Sequence, residues 1–370
     1  MQMLPSTMLD DLGPEKVILL REPNVGLEAF VVIDNVAAGP AIGGVRLADD
    51  VTVEEVARLA RAMTLKNAAA GLPHGGAKAG IVAHSHLDPV KKEALVRAFA
   101  QAIVDILDYV PGPDMGLDER SMAWVHDEIG RAVGLPRAFG GIPLDEIGAT
   151  GLGVVAGIEV AAERAGWPLD GARIAIEGFG AVGMAAARML TERGAVLVAV
   201  SDSRGARRHP TGFDVEKLVS HKHEGQTVGA FPDGEAIDQA AVLTGECDIL
   251  IPAARPDSID ADNAGAIKAK LVAQGANIPA TPEAEQMLHE RDVLVLPDFI
   301  VNAGGVICAA VEFHGGTEAQ ARQTIEDRIK GNVSTLLDSI EDAGVIPRQA
   351  ATRLAVERVR EAMSYRRRFS

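Results

Sequence analysis

Two lysines separated by a glycine-rich apolar passage are the side chains of this sequence best suited to acid–base chemistry. Lys66 and Lys78 flank residues 67–77, which offer little surface on which two ammonium groups could be solvated. A lysine that is partly desolvated, or that lies near another cation, has a lowered pKa and can accept a proton or act as a nucleophile. From this passage alone, a catalytic lysine and a structural ion pair are equally good interpretations.

An aspartate in a turn-like segment is the next candidate for proton transfer. Asp114 lies within residues 111–116, whose sequence is Pro-Gly-Pro-Asp-Met-Gly. An aspartate in such a segment often does no more than stabilise the turn. A carboxylate beside a catalytic lysine can also exchange protons with a substrate. Together with the motifs below, the segment favours the catalytic interpretation.

A glycine-rich loop follows a predicted strand in the middle of the chain. Its glycines permit a tight turn and a close approach to a pyrophosphate, and the helix that follows offers free N–H groups. Asp202 ends the next predicted strand at the spacing expected of a residue that binds ribose hydroxyls. The alternative is a turn of the same kind that binds no nucleotide. The pattern predicts a dinucleotide site made of Gly178, Gly180, Ala181, Val182, Gly183 and Asp202.

The identity of the dinucleotide is less sharply defined by the sequence. Asp202 favours NAD, because its carboxylate pairs with ribose hydroxyls and repels a phosphate. Ser203 and Arg204, which follow it, could hold the 2′-phosphate of NADP. We therefore predict NAD, with NADP or dual use as the alternative.

The elements of the first third must position the two lysines and Asp114. Strands are predicted at residues 17–21 and 29–34. A helix follows that is capped by Thr52, with Glu55 as its capping-box partner, and that carries Lys66 at its far end. A second helix is predicted from Asp88 to about Leu107.

From Arg173 onward, short apolar runs alternate with helical patterns. Such runs are typical of buried strands in a parallel, doubly wound sheet. A bridging helix, residues 151–166, precedes them, and the last predicted helix covers about 348–363. The predicted strands are residues 174–176, 196–200, 249–251, 271–273 and 293–296.

With these motifs in order over nearly the whole chain, the sequence resembles the glutamate, leucine, phenylalanine and valine dehydrogenase superfamily. The resemblance implies an α/β fold of two domains with a cleft between them. The first, residues 1–142, would bind substrate and form oligomers, with residues 341–370 packing back on it. The second, residues 143–340, would be a Rossmann-type nucleotide-binding domain. The matching motifs are residues 39–46, 66–78, 113–116, 149–151, 178–183, 275–277 and 302–306.

The resemblance also assigns roles in the reversible oxidative deamination of an L-amino acid to its 2-oxo acid and ammonia. Lys66 would hold the substrate α-carboxylate, helped by the backbone around Gly43 and Gly44. Lys78, neutral in the reactive state, would activate the water that attacks the imino intermediate after hydride has passed to the nicotinamide. Asp114 would carry protons to and from the amino group. These roles require a lowered pKa of Lys78, to which Lys66 is expected to contribute as a neighbouring cation.

Three further residues are expected at the nicotinamide end of the coenzyme. By resemblance, Thr150 would bind the carboxamide, Asn302 would lie at the nicotinamide, and Asn277 would lie near its ribose. Thr150 and Asn302 could also cap the helices that follow them, and the two roles are compatible.

The side-chain pocket that the resemblance implies has no charged group. Glutamate-specific members of the superfamily carry a lysine and a serine at the positions of Ile42 and Ala309, and Val133, Val306 and Gly112 complete the lining. A glutamate carboxylate against these residues would be an unpaired buried charge, which is costly. An apolar substrate such as leucine, valine or phenylalanine is therefore expected.

Two alternatives stay open. Residues 72–76 and 113–116 resemble the glutamate branch, so glutamate dehydrogenase is the alternative, with Arg46, His74 or another group that the sequence does not identify as the carboxylate partner. The second is a non-catalytic regulatory paralogue, which is disfavoured because such a paralogue is free to lose its catalytic lysines and aspartate.

Net charge and cysteine content limit the kinds of partner and compartment that the sequence is compatible with. The net charge of −16 argues against nucleic acid and anionic membranes as partners. Cys247 and Cys308 are the two cysteines, and residues 1–16 lack a signal pattern, which together favour a cytoplasmic enzyme. No metal site is predicted. The expected partners are the amino acid, the 2-oxo acid, ammonia and, by resemblance, further copies of the same chain.

Overall fold

The structure is a computed structural model that describes residues 9–84 and 86–366. Contacts divide the chain into two compact units. The first comprises residues 1–144, 306–321 and 352–370, and the second comprises residues 145–305 and 322–351. These units differ from the predicted boundaries in three places, because residues 143–144 and 306–321 belong to the first unit and residues 341–351 to the second.

The first unit is built on a five-stranded mixed sheet with the strand order β1-β2-β4-β3-β5. Strands β3, β4 and β5 run parallel to each other, and β1 and β2 complete the sheet in antiparallel fashion. The elements are β1 Lys16–Glu22, β2 Leu27–Asn35, β3 Ala41–Ala48, α1 Val53–Ala69, β4 Gly76–Val82, α2 Pro89–Ala102, β5 Tyr109–Pro113 and α3 Glu119–Ile129.

The core of this unit lies between the sheet and α2 and α3. It is made of aliphatic side chains together with Phe99 and Tyr109, both fully buried. The Tyr109 hydroxyl donates a hydrogen bond to the Gly43 carbonyl at 3.0 Å, so this buried polar atom has a partner. This bond anchors β3 at Gly43, one of the two glycines expected to lie at the substrate.

Helix α2 begins as predicted and ends earlier than predicted. The Asp88 side chain accepts hydrogen bonds from the Val90 and Lys91 N–H groups, and proline occupies the first turn. The helix stops at Ala102, and residues 103–105 form turns instead of continuing to Leu107. Arg131 donates to the carbonyls of Ile103 and Ile106 at 2.6 and 3.1 Å, which stabilises this turn in place of a further helical turn.

The second unit contains a seven-stranded sheet with the order β12-β11-β10-β6-β7-β8-β9. The five predicted strands are present and parallel, and two short antiparallel strands that were not predicted extend the sheet beyond β7. Its elements are α4 Ala149–Ala165, β6 Arg173–Glu177, α5 Ala181–Thr191, β7 Val196–Asp202, β8 Gly205–Arg208, α6 Val215–His223, β9 Glu235–Ile237, α7 Ala241–Thr244, β10 Ile249–Pro252, β11 Leu271–Ala273, α8 Pro282–Glu290, β12 Leu294–Leu296 and α9 Asp298–Val301.

Three more helices complete the chain: α10 Gly304–Phe313, α11 Glu318–Ala343 and α12 Pro347–Ser364. In the part of the chain that the structure describes, none of the helices is both long and apolar enough to cross a membrane.

Candidate active site

Helix α1 delivers Lys66 in its last turn. The Thr52 side chain caps its start by accepting from the Glu55 N–H group at 3.1 Å. The expected reciprocal bond of a capping box is replaced, because the Glu55 carboxylate accepts from Arg46 instead. At the other end, the Arg358 guanidinium of α12 donates to the carbonyls of Ala68 and Ala69 at 3.2 and 2.6 Å. The last carbonyls of a helix lack partners further along the helix. The Ala68 carbonyl also accepts from the Gly71 N–H at 2.9 Å, and Arg358 adds one bond to it and one to Ala69, so α12 stabilises the turn that carries Lys66.

Three parallel strands bring the remaining site residues together. In the register of the sheet, Gly44 of β3 pairs with Gly112 of β5, and Val45 pairs with Ala79 of β4. Lys78 lies on β4, and Asp114 directly follows the end of β5. The sheet therefore places Gly44, Lys78 and Asp114 side by side.

The two glycines of β3 are required by close approaches. A Cβ on Gly43 would lie 1.7 Å from the Ala77 carbonyl oxygen. A Cβ on Gly44 would lie 2.8 Å from the Asp114 Cβ and 3.1 Å from the Lys78 Nζ. Any larger residue at position 44 would therefore intrude on the lysine and the aspartate.

Lys78 and Asp114 form a buried ion pair. The Lys78 Nζ lies 3.0 Å from the Asp114 Oδ2, and the lysine side chain is 7% exposed. Burial lowers the pKa of Lys78; Asp114 opposes this shift and the Arg46 guanidinium adds to it. A lysine with a lowered pKa loses its proton more readily, as the predicted role requires.

Arg46 shares the same carboxylate oxygen. Its Nε donates to the Asp114 Oδ2 at 2.9 Å, and its Nη1 donates to Glu55. Burial acts to raise the pKa of Asp114, but Lys78 and Arg46 outweigh it, so the pKa is lowered. The sequence assigned Arg46 no role beside Asp114. The matched segment 39–46 was the available signal, but it does not reveal which carboxylate the arginine binds.

The predicted lining of the side-chain pocket lies in the first unit. Ile42 and Val133 are buried, with 3% and 2% exposure, and Val306 and Ala309 are half-buried on α10. A Cβ on Gly112 would touch the Val133 side chain at 3.0 Å, so these two positions adjoin.

The two groups considered as partners for a substrate side-chain carboxylate are already engaged. Arg46 binds Asp114 and Glu55. His74 lies with its Nδ1 3.0 Å from the Pro40 carbonyl oxygen and its Nε2 3.0 Å from the His314 Nε2. Burial, aided by His314, lowers the pKa of His74 and favours its neutral form.

The glycine loop of the second unit has the geometry of a phosphate cradle. Gly178 has a φ of +96°, and the Gly178 and Phe179 N–H groups donate to the Ser201 carbonyl at 3.0 and 2.8 Å. A Cβ on Gly183 would lie 2.1 Å from the Gly178 oxygen, whereas Gly180 faces open space. Ala181 and Val182 form the first turn of α5, where N–H groups lack helical partners.

This loop lines a cavity of about 810 Å³. Asp202 lines it as well, at the end of β7. Its Oδ2 accepts from the Lys222 Nζ at 2.5 Å and from the Val228 N–H at 2.8 Å, and its Oδ1 accepts from the Arg204 N–H at 2.9 Å. Burial acts to raise the pKa of Asp202, but these donors outweigh it and lower the pKa. Lys222 was not foreseen, because nothing in the sequence links it to a residue twenty positions earlier.

The residues expected at the nicotinamide converge in the second unit. The Asn302 Nδ2 donates to the Asn277 Oδ1 at 3.0 Å, while the buried Asn302 Oδ1 has no hydrogen-bond partner. A buried amide oxygen without a partner is costly, and it suits a ligand that donates an N–H or O–H group. The residues present thus fit a dinucleotide whose nicotinamide end supplies that donor.

Neither Asn302 nor Thr150 acts as a helix cap, contrary to the capping alternative. The unpartnered Asn302 Oδ1 does not bond the start of α10. The N-cap of α4 is Gly148, so Thr150 lies inside the first turn. The Thr150 Oγ1 lies 3.5 Å from the position that a Cβ on Gly305 would occupy, which places it at the beginning of α10.

Comparisons with known proteins agree with this geometry. Residues 140–367 match the family profile described as glutamate/leucine/phenylalanine/valine dehydrogenase, and residues 14–131 match the dimerisation domain of Glu/Leu/Phe/Val dehydrogenases. Glutamate dehydrogenase of Aeropyrum pernix is 39% identical over 355 residues, which cover 90% of this chain and 85% of that protein.

Two solved structures are similar over almost their whole length. The hetero-hexameric glutamate dehydrogenase of Thermus thermophilus, in a leucine-bound form, has a TM-score of 0.85 and 32% identity, covering 100% of this chain and 94% of that chain. L-tryptophan dehydrogenase of Nostoc punctiforme has a TM-score of 0.76 and 26% identity, covering 95% and 98% respectively.

Proposed function

Because this chain belongs to the glutamate/leucine/phenylalanine/valine dehydrogenase family, we propose that it catalyses the reversible oxidative deamination of L-glutamate to 2-oxoglutarate and ammonia. The predicted superfamily and two-domain α/β fold are confirmed, as are its character as an oxidoreductase and the use of NAD(P). The choice of glutamate is supported by the names of the relatives, and it replaces the apolar substrate expected from the sequence as the leading proposal.

The buried contact between Lys78 and Asp114 is the observation that carries the proposed chemistry. Lys66 holds the substrate α-carboxylate near the backbone of Gly43 and Gly44. Asp114 takes a proton from the substrate ammonium and later returns one to the departing ammonia. Neutral Lys78 takes a proton from the water that attacks the imino carbon, which yields a carbinolamine. Its C–N bond then breaks, ammonia leaves with the proton that Asp114 returns, and the hydroxyl loses its proton to give the 2-oxo acid. When bound, NAD(P) accepts the hydride from the substrate α-carbon.

The same contact argues against the regulatory, non-catalytic alternative. Burying Lys78 beside Arg46 is costly unless both cations are compensated, and here the carboxylates of Asp114 and Glu55 supply that compensation. A chain that had lost turnover would be free to lose this arrangement. Its persistence supports a protein that still performs the reaction.

An apolar L-amino acid is the second candidate substrate, and the pocket lining favours it. Ile42 and Val133 are buried and uncharged, and Ala309 offers no hydrogen bond donor from its side chain. Arg46 and His74 are both engaged elsewhere. The similarity to an L-tryptophan dehydrogenase shows that proteins with related structures act on apolar substrates.

For the coenzyme we propose a preference for NAD over NADP. Asp202 carries a lowered pKa and is ionised at neutral pH, so it repels a 2′-phosphate. Lys222 is engaged by the same carboxylate at 2.5 Å and is not available to compensate that repulsion. We further propose a cytoplasmic homo-oligomer. Assembly is supported by the match to a dimerisation domain, and the Thermus thermophilus relative is a hetero-hexamer.

One assay separates these possibilities. Oxidation of NADH and NADPH is followed with ammonia and 2-oxoglutarate, 4-methyl-2-oxopentanoate, 3-methyl-2-oxobutanoate or phenylpyruvate. We expect the highest kcat/KM with 2-oxoglutarate and NADH. A higher kcat/KM with a branched or aromatic acid establishes the second candidate, and no turnover by folded protein establishes the non-catalytic one.

A matched variant tests the side-chain pocket itself. Ile42→Lys places an ammonium where the lining is apolar, and Ile42→Met is its uncharged control of similar length. If Ile42 faces the substrate side chain, only the lysine variant raises the ratio of kcat/KM for 2-oxoglutarate to that for 4-methyl-2-oxopentanoate. Equal ratios in both variants would remove Ile42 from the pocket.

A further inference from the structure

A network of four polar side chains, three of them buried and Arg348 26% exposed, lies behind the loop that carries Asn277. The loop follows β11, and Gln274 at its start is fully buried. Glu285 of α8 and Asp298 of α9 are 3% and 4% exposed. The fourth member, Arg348, comes from the first turn of α12.

Arg348 makes four hydrogen bonds within this network. Its Nε donates to both Glu285 oxygens at 2.9 and 2.7 Å, and its Nη2 donates to the Gln274 Oε1 at 2.8 Å and to the Asp298 Oδ1 at 2.9 Å. Its guanidinium carbon also lies 5.7 Å from the centre of the Phe299 ring. Such a fork is specific to arginine, since a lysine ammonium cannot present the same planar set of donors.

The network reaches the loop through Asp298. The Asp298 Oδ2 accepts from the Ile278 N–H at 2.8 Å, and the Asp298 carbonyl accepts from the Asn302 N–H at 2.7 Å. The Asp298 N–H in turn donates to the Gln274 Oε1 at 3.0 Å. One aspartate thus holds the residue after Asn277 and the backbone of Asn302.

Ile278 needs this support. Its φ is +48°, a left-handed conformation that β-branched residues seldom adopt because the side chain clashes with the backbone. Such a conformation costs free energy and persists only where the surroundings fix it. The bond from Ile278 to Asp298 is one such constraint, and it determines the direction in which the preceding Asn277 points.

We propose that Arg348 is a positioning residue for the coenzyme. Acting through Gln274 and Asp298, it fixes residues 275–278 in the conformation that presents Asn277 and Asn302 to the nicotinamide end of NAD(P). The inference rests on the proposed function, since it assumes that these two asparagines face the coenzyme. Arg348 itself touches neither asparagine in any contact described above.

The test compares three variants in the full-length protein. Arg348→Met removes the fork and leaves Glu285 and Asp298 without their cation. Arg348→Lys keeps the charge without the fork. Arg348→Met combined with Glu285→Gln removes one cation and one anion, so that the net charge of the network is unchanged. Arg188→Met is the control, because it removes an exposed arginine paired with Glu216 in the same unit.

The measured quantities are the Tm, the Kd of NADH from its fluorescence, and deuterium uptake by residues 275–278. We expect Arg348→Met to lower the Tm and to raise the NADH Kd by roughly tenfold, the loss typical of one charge-assisted hydrogen bond. In Arg348→Lys, and in Arg348→Met combined with Glu285→Gln, we expect the Tm to recover while the NADH Kd and the deuterium uptake stay raised.

Two outcomes overturn the proposal. One is an NADH Kd unchanged from wild type in folded Arg348→Met. The other is recovery of NADH affinity in parallel with the Tm, which would show that Arg348 acts on stability alone. Because NADH binding is measured without a 2-oxo acid, wild-type protein that binds NADH but turns over no substrate would refute the proposed function separately.

Discussion

Replacing Arg46 by methionine should move the pH dependence of the reaction to higher pH. The Arg46 Nε and the Lys78 Nζ lie 2.9 and 3.0 Å from the same Asp114 oxygen, so the two nitrogens are within about 6 Å of each other. At an effective dielectric constant of about 20, two like charges at this distance repel by about 3 kcal/mol, which corresponds to about 2 pKa units. Since the arginine side chain is 17% exposed, solvent reduces this effect, and about 1 to 2 units remain.

Three further consequences of the substitution act in known directions. Without Arg46, the Asp114 carboxylate is wholly available to Lys78, and Glu55 loses its partner. Both changes raise the pKa of Lys78 further. The pKa of Asp114, which burial raises and which Lys78 and Arg46 now lower, also rises. The limb of the profile that reports deprotonation of Lys78 therefore moves up by about 1 to 2 pH units.

The assay is the pH profile of kcat/KM in the direction of oxidative deamination, with NADH binding and the Tm as checks on folding. Arg58→Met is the control, because Arg58 is an exposed residue of α1. High pH should restore the activity of Arg46→Met and leave the control profile unchanged. A limb that stays in place or moves to lower pH, in a variant that still binds NADH, would refute the role assigned to Arg46.

Four other substitutions have defined outcomes. Lys78→Ala should abolish turnover and leave the NADH Kd nearly unchanged, as measured by steady-state kinetics and fluorescence. The reason is that the lysine belongs to the first unit, whereas the dinucleotide loop belongs to the second. Asp202→Ser should improve kcat/KM with NADPH relative to NADH by roughly 10-fold to 100-fold, since it removes an anion and releases Lys222. Gly76→Ala should destabilise the protein by about 3 kcal/mol in urea unfolding, because its Cβ would lie 2.0 Å from the Thr64 nitrogen. Gly331→Ala, in helix α11 with nothing near its Cβ position, should instead be neutral or slightly stabilising.

The doubly wound unit could be predicted because its signals are local. Each of its parallel strands is buried on both faces and appears in the sequence as a continuous apolar run. The glycine loop follows β6 directly and Asp202 is the last residue of β7, so their spacing was enough to find them. The antiparallel strands β8 and β9 were not predicted because they have only four and three residues, too few to show an alternating or a continuous apolar pattern.

The strands that position Lys78 and Asp114 were harder to predict for a physical reason. β3 contains Gly43 and Gly44, and β5 contains two prolines and a glycine, which are residues depleted in strands. The two β3 positions are glycines because a Cβ there would collide with Ala77, Asp114 or Lys78. Local propensity is overridden at the positions where the site needs space.

The ion pairs around the site depend on contacts that no spacing rule describes. Glu55 fits a capping box, yet its carboxylate binds Arg46. A side chain three residues beyond an N-cap has two possible partners, and only the packing of α1 against the sheet selects between them. The same holds for Arg348, whose partners lie 50 to 74 residues away.

The bonds from Arg358 to Ala68 and Ala69 have a consequence for the order of events on the ribosome. The partners are separated by about 290 residues, so α1 emerges long before the arginine that completes its last turn is synthesised. Most of the second unit is one continuous segment, residues 145–305, and this segment is synthesised before Arg358. During synthesis we therefore expect the nucleotide-binding sheet to acquire protease resistance first. The first unit then stays open to proteolysis around Lys66 until residues 352–366 have left the exit tunnel.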